Sequence, residues 1–166
     1  SVPVLSKQIV LALARQASAS PSRTSTPLWA ARPTAAQSAI GVASPRAQGQ
    51  AIISTATALT GVPYRNGGAD PEGFDCSGFV QYVFAQHGVR LPRTVERQAG
   101  VGTRVGTLEP GDLVFFATVG DGPTHVGIAL DPDRFIHAPS SRGVVRVERL
   151  ASPYWAPRFL EARRVP

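Results

Sequence analysis

The sequence predicts an α+β domain, with helices first and a meandering antiparallel β-sheet second. Three observations predict it. Apolar residues recur at helical spacing before and after a loop rich in Gly, Asn and Pro. From Asp112 the pattern changes to short runs of β-branched and aromatic residues. Turn residues separate those runs.

The first helix is expected over Gln48 to Thr60, with Ile52, Ala56 and Leu59 on one face and Gly61 and Pro63 beyond its end. Gly61 to Gly73 reads as a loop. Asp75 to His87 reads as a second helix, with Asp75 as N-cap, Gly88 as C-cap, and Phe79, Val80, Val83 and Phe84 along its buried face. A short helix is expected over Thr94 to Gly100 after the turn at Leu91-Pro92. Leu113 to Phe116, Val126 to Leu130, Arg134 to His137 and Val144 to Glu148 read as strands. Ser152 to Pro166 is expected to pack as a terminal strand or tail, with Trp155 in the core.

The chain divides near residue 47. Residues 1–47 read as an N-terminal arm or linker, open to a role as a lid, and residues 48–166 as the folded domain. Leu5 to Arg15 suits a short amphipathic helix, and Ser18 to Ala47 is rich in Ser, Thr, Pro and Ala and buries little, with Trp29 as a surface anchor. The absence of methionine is expected of a processed or truncated chain.

Bulk composition excludes several classes. At 166 residues and 43% hydrophobic content, the chain is long enough for one domain with a core. No apolar run approaches the ~20 residues of a transmembrane helix. The net charge of +6 comes almost wholly from scattered arginines, Lys7 being the single lysine. Without a recognition helix, zinc spacing or stacking pattern, that charge does not indicate nucleic acid. An anionic polymer or acidic membrane suits it as well, and so does plain solubility.

Chemistry concentrates at the single cysteine, Cys76, within Phe74-Asp75-Cys76-Ser77-Gly78-Phe79-Val80. One thiol forms no internal disulfide, so Cys76 is either a buried small side chain or a nucleophile. Its place in the first turn of a helix favours the nucleophile, because unpaired N–H groups and the helix dipole favour thiolate there. His125 opens one predicted strand and His137 ends the next. Antiparallel neighbours can bring the two rings together, giving a base and a group that orients it. His87 lies at a helix C-terminus, where a cap in the dipole field is the expected role. Cys76 and the three histidines lack close metal-ligand spacing, which argues against a metal.

These residues resemble the NlpC-type family of bacterial cell-wall cysteine peptidases, a papain-like group. The resemblance runs from about residue 48 to 150 and rests on ordered pieces: Gly61-Val62-Pro63-Tyr64-Arg65-Asn66-Gly67-Gly68, the Cys76 segment, Leu91-Pro92-Arg93-Thr94, Leu108 to Phe116, His125-Val126-Gly127-Ile128 and Phe135-Ile136-His137-Ala138. It implies a papain-like NlpC fold with the catalytic cysteine at a helix N-terminus. It implies Cys76 as nucleophile, His125 as base and His137 as third polar residue, with no cofactor and no metal. It implies that Tyr64 lies over the site and donates to the oxyanion, and that Asp75 and Ser77 shape the substrate groove. Asp75 is open to two readings, a partner for a substrate amine or a helix cap. Arg93 is expected to order a loop, and Gly111 and Asp112 to form a turn before a strand.

The implied substrate is a peptidoglycan stem peptide, cut between D-γ-glutamate and a diamino acid through an acyl-enzyme. Location then follows the substrate: periplasmic or secreted. A monomer is expected. Two other readings stay open: a secreted antibacterial toxin or lysin, including one with amidase specificity, and a catalytically latent wall-binding module.

Overall fold

The computed structural model of the protein describes residues 44–140 and 143–166. The expected helix at Leu5 to Arg15, the anchor Trp29 and the linker up to residue 43 lie outside these residues.

Helix α1 (Pro45–Ala58) opens on Ser44, whose Oγ accepts from the Ala47 N–H at 3.2 Å. Pro45 sits in the first turn, where its missing N–H costs nothing. The helix therefore begins inside the stretch assigned to the arm. Gly61, at φ +91°, turns the chain away after its end. The loop that follows carries a small two-stranded ladder, β1 (Ala69–Asp70) with β2 (Gly73–Phe74), which the Gly-rich composition concealed.

Helix α2 (Cys76–Ala85) is capped by Asp75, whose Oδ1 accepts from the Gly78 N–H at 2.6 Å. Its buried residues Phe79, Val80, Val83 and Phe84 are those expected from the periodicity. Gly88 takes φ +75° just past its end, and Val89 N–H returns to the Phe84 carbonyl at 3.0 Å. Helix α3 (Val95–Gln98) is shorter than predicted and is capped by Thr94.

The sheet contains β3 (Thr103–Val105), β4 (Leu113–Phe116), β5 (His125–Ala129), β6 (Arg134–His137), β7 (Arg146–Arg149) and β8 (Phe159–Arg164). Their spatial order is β3-β8-β4-β5-β6-β7, every pair antiparallel. The meander from β4 to β7 follows the sequence expectation. The terminal segment packs as a strand, one of its two expected forms, and β8 is inserted between β3 and β4.

Strand alternation divides the core. Leu113, Phe115, Val126, Ile128 and Ile136 face the helices and meet Ile52, Phe79, Val83 and Phe84. Val114, Phe116, Ala129, Phe135 and Ala162 face the other way and pack with Trp155. Each large side chain fully buried in these layers contributes about 1.5–3 kcal/mol. At the turn before β4, Asp112 is almost fully buried and accepts from Arg164 Nε and Nη2, both at 2.9 Å, which ties the turn to β8. Gly111, at φ +93°, lies 3.0 Å from the Cα of Gly49 when given a Cβ, so α1 rests directly on this turn.

Candidate active site

Cys76 is the first residue of α2 and is half-buried. Its position follows from the Asp75 cap, which fixes where the helix starts. Asp75 Oδ1 and Oδ2 also accept from Arg93 Nη1 and Nη2, at 3.0 and 2.7 Å, and Ser77 Oγ accepts from the same Nη1 at 2.9 Å. Arg93, expected to order a loop, thus orders the helix entrance. Asp75 is a helix cap and the partner of Arg93, with both oxygens engaged. Gln98 adds a clamp from α3, its Nε2 donating to the carbonyls of Ser77 (3.1 Å) and Pro92 (2.8 Å).

Gly78 is required by packing. A Cβ there would lie 2.0 Å from the carbonyl oxygen of Gly68. Its close neighbour is the chain's own loop, whose Gly68 carbonyl also accepts from the Asp75 N–H at 2.9 Å.

His125 and His137 are buried on adjacent strands and come together as the hairpin pattern predicted. Nε2 of His125 and Nδ1 of His137 are 2.7 Å apart. Phe116, Phe135 and Trp155 surround them, and Trp155 stacks on the His125 ring with centroids 5.1 Å apart and planes at 24°. Trp155 is a core residue, as expected, and part of the wall of this site. Sequence reasoning missed Glu148, whose Oε2 lies 2.5 Å from His137 Nε2. The signal was an acidic residue in a strand alternating with Arg146, on the strand that neighbours β6. Only the register, which sets His137 against Arg146 and Phe135 against Glu148, shows which face it shares.

The sulfur of Cys76 lies against the start of β5, where the Val126 N–H, together with the N–H groups of Ser77 and Cys76 itself, stabilises its charged form. Burial outweighs these donors and, with the nearby Asp75 carboxylate, pushes the thiol above its ordinary range. The helix-terminal N–H groups act in the expected direction, and burial is the larger effect. Burial also holds His125 down to about 3, aided by His137 and opposed by Glu148, and holds His137 down to about 3, aided by Arg146. Burial thus favours the uncharged form of the thiol and of both imidazoles.

Tyr64 faces the same corner. Burial raises its phenol above the usual value, and the Cys76 and Asp75 charges add to the shift. Its hydroxyl is accordingly a donor at neutral pH. Asp75, Ser77, Arg93, Thr94, Pro123 and Thr124 line an open groove of about 520 Å³ beside the helix entrance. His87 lies away from this site and bonds Thr55 of α1 at 2.7 Å, linking the two long helices. Among the described residues, no group of three or more His, Cys, Asp or Glu side chains is placed to hold a metal ion. Among them too, no helix is long and apolar enough to cross a membrane.

Known proteins share this arrangement of chain. The gamma-DL-glutamyl hydrolase of Bacillus subtilis (strain 168) is 39% identical over 120 residues, which cover 69% of this chain and 29% of that protein. The murein DD-endopeptidase MepS/murein LD-carboxypeptidase of Escherichia coli (strain K12) is 45% identical over 108 residues, covering 63% of this chain and 56% of that protein. The chain therefore spans less than two thirds of the length of either relative. Among solved structures, the NlpC/p60 domain of the peptidoglycan hydrolase SagA aligns with a TM-score of 0.63 at 38% identity, over 70% of this chain and 98% of that one. An NlpC/P60 family protein from Bacillus cereus ATCC 10987 aligns with a TM-score of 0.67 at 31% identity, over 75% of this chain and 44% of that one. Residues 61–164, well over half of the chain and holding the Cys76 helix entrance, both strand histidines and Tyr64, match the NlpC/P60 family, and the protein belongs to that family.

Proposed function

We propose that the protein is a cysteine peptidase that hydrolyses peptide bonds of peptidoglycan. The observation that carries this reading is the convergence of the Cys76 helix entrance on the start of β5, beside the bonded His125–His137 pair. Cys76 is the nucleophile, His125 the general base and His137 the group that orients it. Family relatives named for glutamyl and murein hydrolysis support the substrate class.

Burial disfavours either charge alone, so proton transfer belongs with attack. The Cys76 S–H bond breaks, His125 gains the proton, and the sulfur bonds to the substrate carbonyl carbon. Two opposite charges formed together in one buried site compensate each other, where a lone thiolate or lone imidazolium would not. The carbonyl oxygen gains the negative charge, which Tyr64 O–H and the free N–H groups at the start of α2 stabilise. His125 then gives its proton to the leaving amine as the C–N bond breaks, and water, deprotonated by the same base, attacks the thioester carbonyl, so that the C–S bond breaks, the carboxylic acid leaves and Cys76 regains its proton. Ser77, Asp75 and Arg93 form one wall of the groove that receives the stem peptide. The substrate lies outside the cytoplasmic membrane, so the working site is periplasmic or extracellular.

The scissile bond of this reading is D-γ-glutamyl to diamino acid, supported by the glutamyl hydrolase relative. A cut at the D-alanyl crosslink is the second reading, favoured by the 45% identity to the DD-endopeptidase relative. Digestion of purified sacculi, with mass spectrometry of the released fragments beside Cys76→Ala, tests both. New D-glutamyl ends absent with the variant support the first bond, and new D-alanyl ends the second. Fragments cut between sugar and alanine indicate an amidase instead. No Cys76-dependent fragment from any sacculus type refutes the hydrolase and leaves a latent binding module.

A further inference from the structure

Glu148 is not used by the chemistry above, yet it closes a chain of contacts that ends at the base. Its Oε2 is 2.5 Å from His137 Nε2, and His137 Nδ1 is 2.7 Å from His125 Nε2. Arg146 Nε lies 3.3 Å from the same oxygen. An ionised carboxylate accepts and cannot donate, and an arginine donates and cannot accept. The contact therefore requires the proton of His137 on Nε2. The opposite tautomer would set an imidazole lone pair against a carboxylate lone pair at 2.5 Å. A neutral imidazole has one N–H, so His137 Nδ1 is an acceptor, and the 2.7 Å contact must be filled by His125 Nε2–H. That leaves Nδ1 of His125 with a free lone pair.

We propose that Glu148 is a positioning residue that fixes the tautomers of both histidines in series, so that Nδ1 of His125 is the atom that takes the Cys76 proton. The inference rests on the cysteine peptidase reading. When the S–H bond breaks and Nδ1 gains the proton, His125 becomes an imidazolium whose Nε2–H already points at His137 Nδ1. His137 Nε2–H in turn already points at the Glu148 carboxylate. No ring has to turn and no further proton has to move for that charge to be met. Glu148 is 28% exposed, so it sits between the buried rings and solvent as the outer member of the chain. The other groups around the histidine pair are Arg146 from β7 and the uncharged rings of Phe116, Phe135 and Trp155, while Cys76 lies against the start of β5 with the Asp75 cap beside it. Glu148 is the carboxylate among them that touches a ring nitrogen.

The test is made on the full chain with two readouts that need no wall substrate. Nitrogen-15 NMR of the imidazoles reports the tautomers, and the pH profile of Cys76 alkylation by iodoacetamide reports the base. In the wild type, both rings should carry the proton on Nε2. In Glu148→Leu the tautomers should mix, and alkylation at neutral pH should fall by about tenfold or more, with its rise moved to higher pH. Glu148→Gln keeps an acceptor without the charge, and should hold the tautomers while recovering only part of the rate. Wild-type tautomers and a wild-type alkylation profile in Glu148→Leu would overturn the proposal. Should that variant not fold, a wild-type profile in Glu148→Gln would overturn it. Failure of the peptidase reading looks different: His125→Ala would then alkylate as the wild type does, whatever Glu148 carries.

Discussion

At the residue scale, burial sets the behaviour of the site. His125 and His137 are held to about 3 in the fold, against an ordinary value of 6.5. A histidine with a lowered folded value binds fewer protons folded than unfolded between those two limits. Stability is therefore full above about pH 6.5 and falls as pH drops toward 3, by up to about 1.4 kcal/mol per pH unit for each imidazole. Thermal melts from pH 7 to pH 4 should show a steep acid loss that flattens in His137→Asn; equal slopes in the two proteins would contradict this origin. Tyr64 makes a second residue-level prediction. As a protonated donor beside Cys76, its loss in Tyr64→Phe should lower the rate of sacculus digestion by about 10²-fold while leaving the melting temperature nearly unchanged. Cys76, His125 and His137 were legible in the sequence because residue type, helix start and strand order all pointed the same way. Glu148 was not, because an acidic residue in a strand gives no sign of the neighbour its register selects.

At the element scale, the entrance of α2 is where helix, loop and sheet meet. The Asp75 cap, its two bonds to Arg93 and the close approach of Gly68 to Gly78 hold Cys76 in place. Gly78→Ala would drive a methyl against the Gly68 carbonyl, which is backbone and cannot rotate away. Overpacking of this kind costs about 1–3 kcal/mol and displaces the loop that carries Tyr64. The variant should melt lower and lose activity together, and an unchanged melt with full digestion of sacculi would show that the loop adapts freely. Arg93→Met removes the donors from Asp75 in a partly exposed ion pair, so its stability cost should stay at about 1 kcal/mol. Its larger effect should appear in turnover, through a helix entrance no longer held in place. The helix faces and the Asp75 cap were readable from periodicity and from the acid before Cys76. The β1–β2 ladder was not, because two-residue strands in a Gly-rich loop carry no alternation to read.

At the scale of the whole molecule, the chain completes its sheet with its last residues. Phe159-Leu160-Glu161-Ala162-Arg163-Arg164 is made largely of good helix formers. It becomes a strand because β3 and β4 present open edges on either side, and because Arg164 reaches the buried Asp112. Local pattern could suggest a terminal strand but not its place inside the sheet, since that depends on partners some 50 residues back in the chain, as the pairing of Leu113 with Arg163 shows. The consequence is that the sheet cannot close until β8 is present. A chain ending at Arg158 would expose the edges of β3 and β4, unpair the buried Asp112 carboxylate and uncover Val114 and Phe116. Loss of the Arg164 partner of Asp112 alone costs about 3–5 kcal/mol, against roughly 5–15 kcal/mol for a whole domain, and the lost strand pairing and packing add to it. Far-UV circular dichroism and a thermal melt of the shortened chain should therefore show loss of the cooperative transition and a tendency to associate through the open edges. Arg164→Met, which keeps β8 and removes only the ion pair, should remain folded with a lower melting temperature. If the shortened chain melted cooperatively near the full-length value, β8 would be an accessory strand, and the site would depend on the β4–β7 meander and α2 alone.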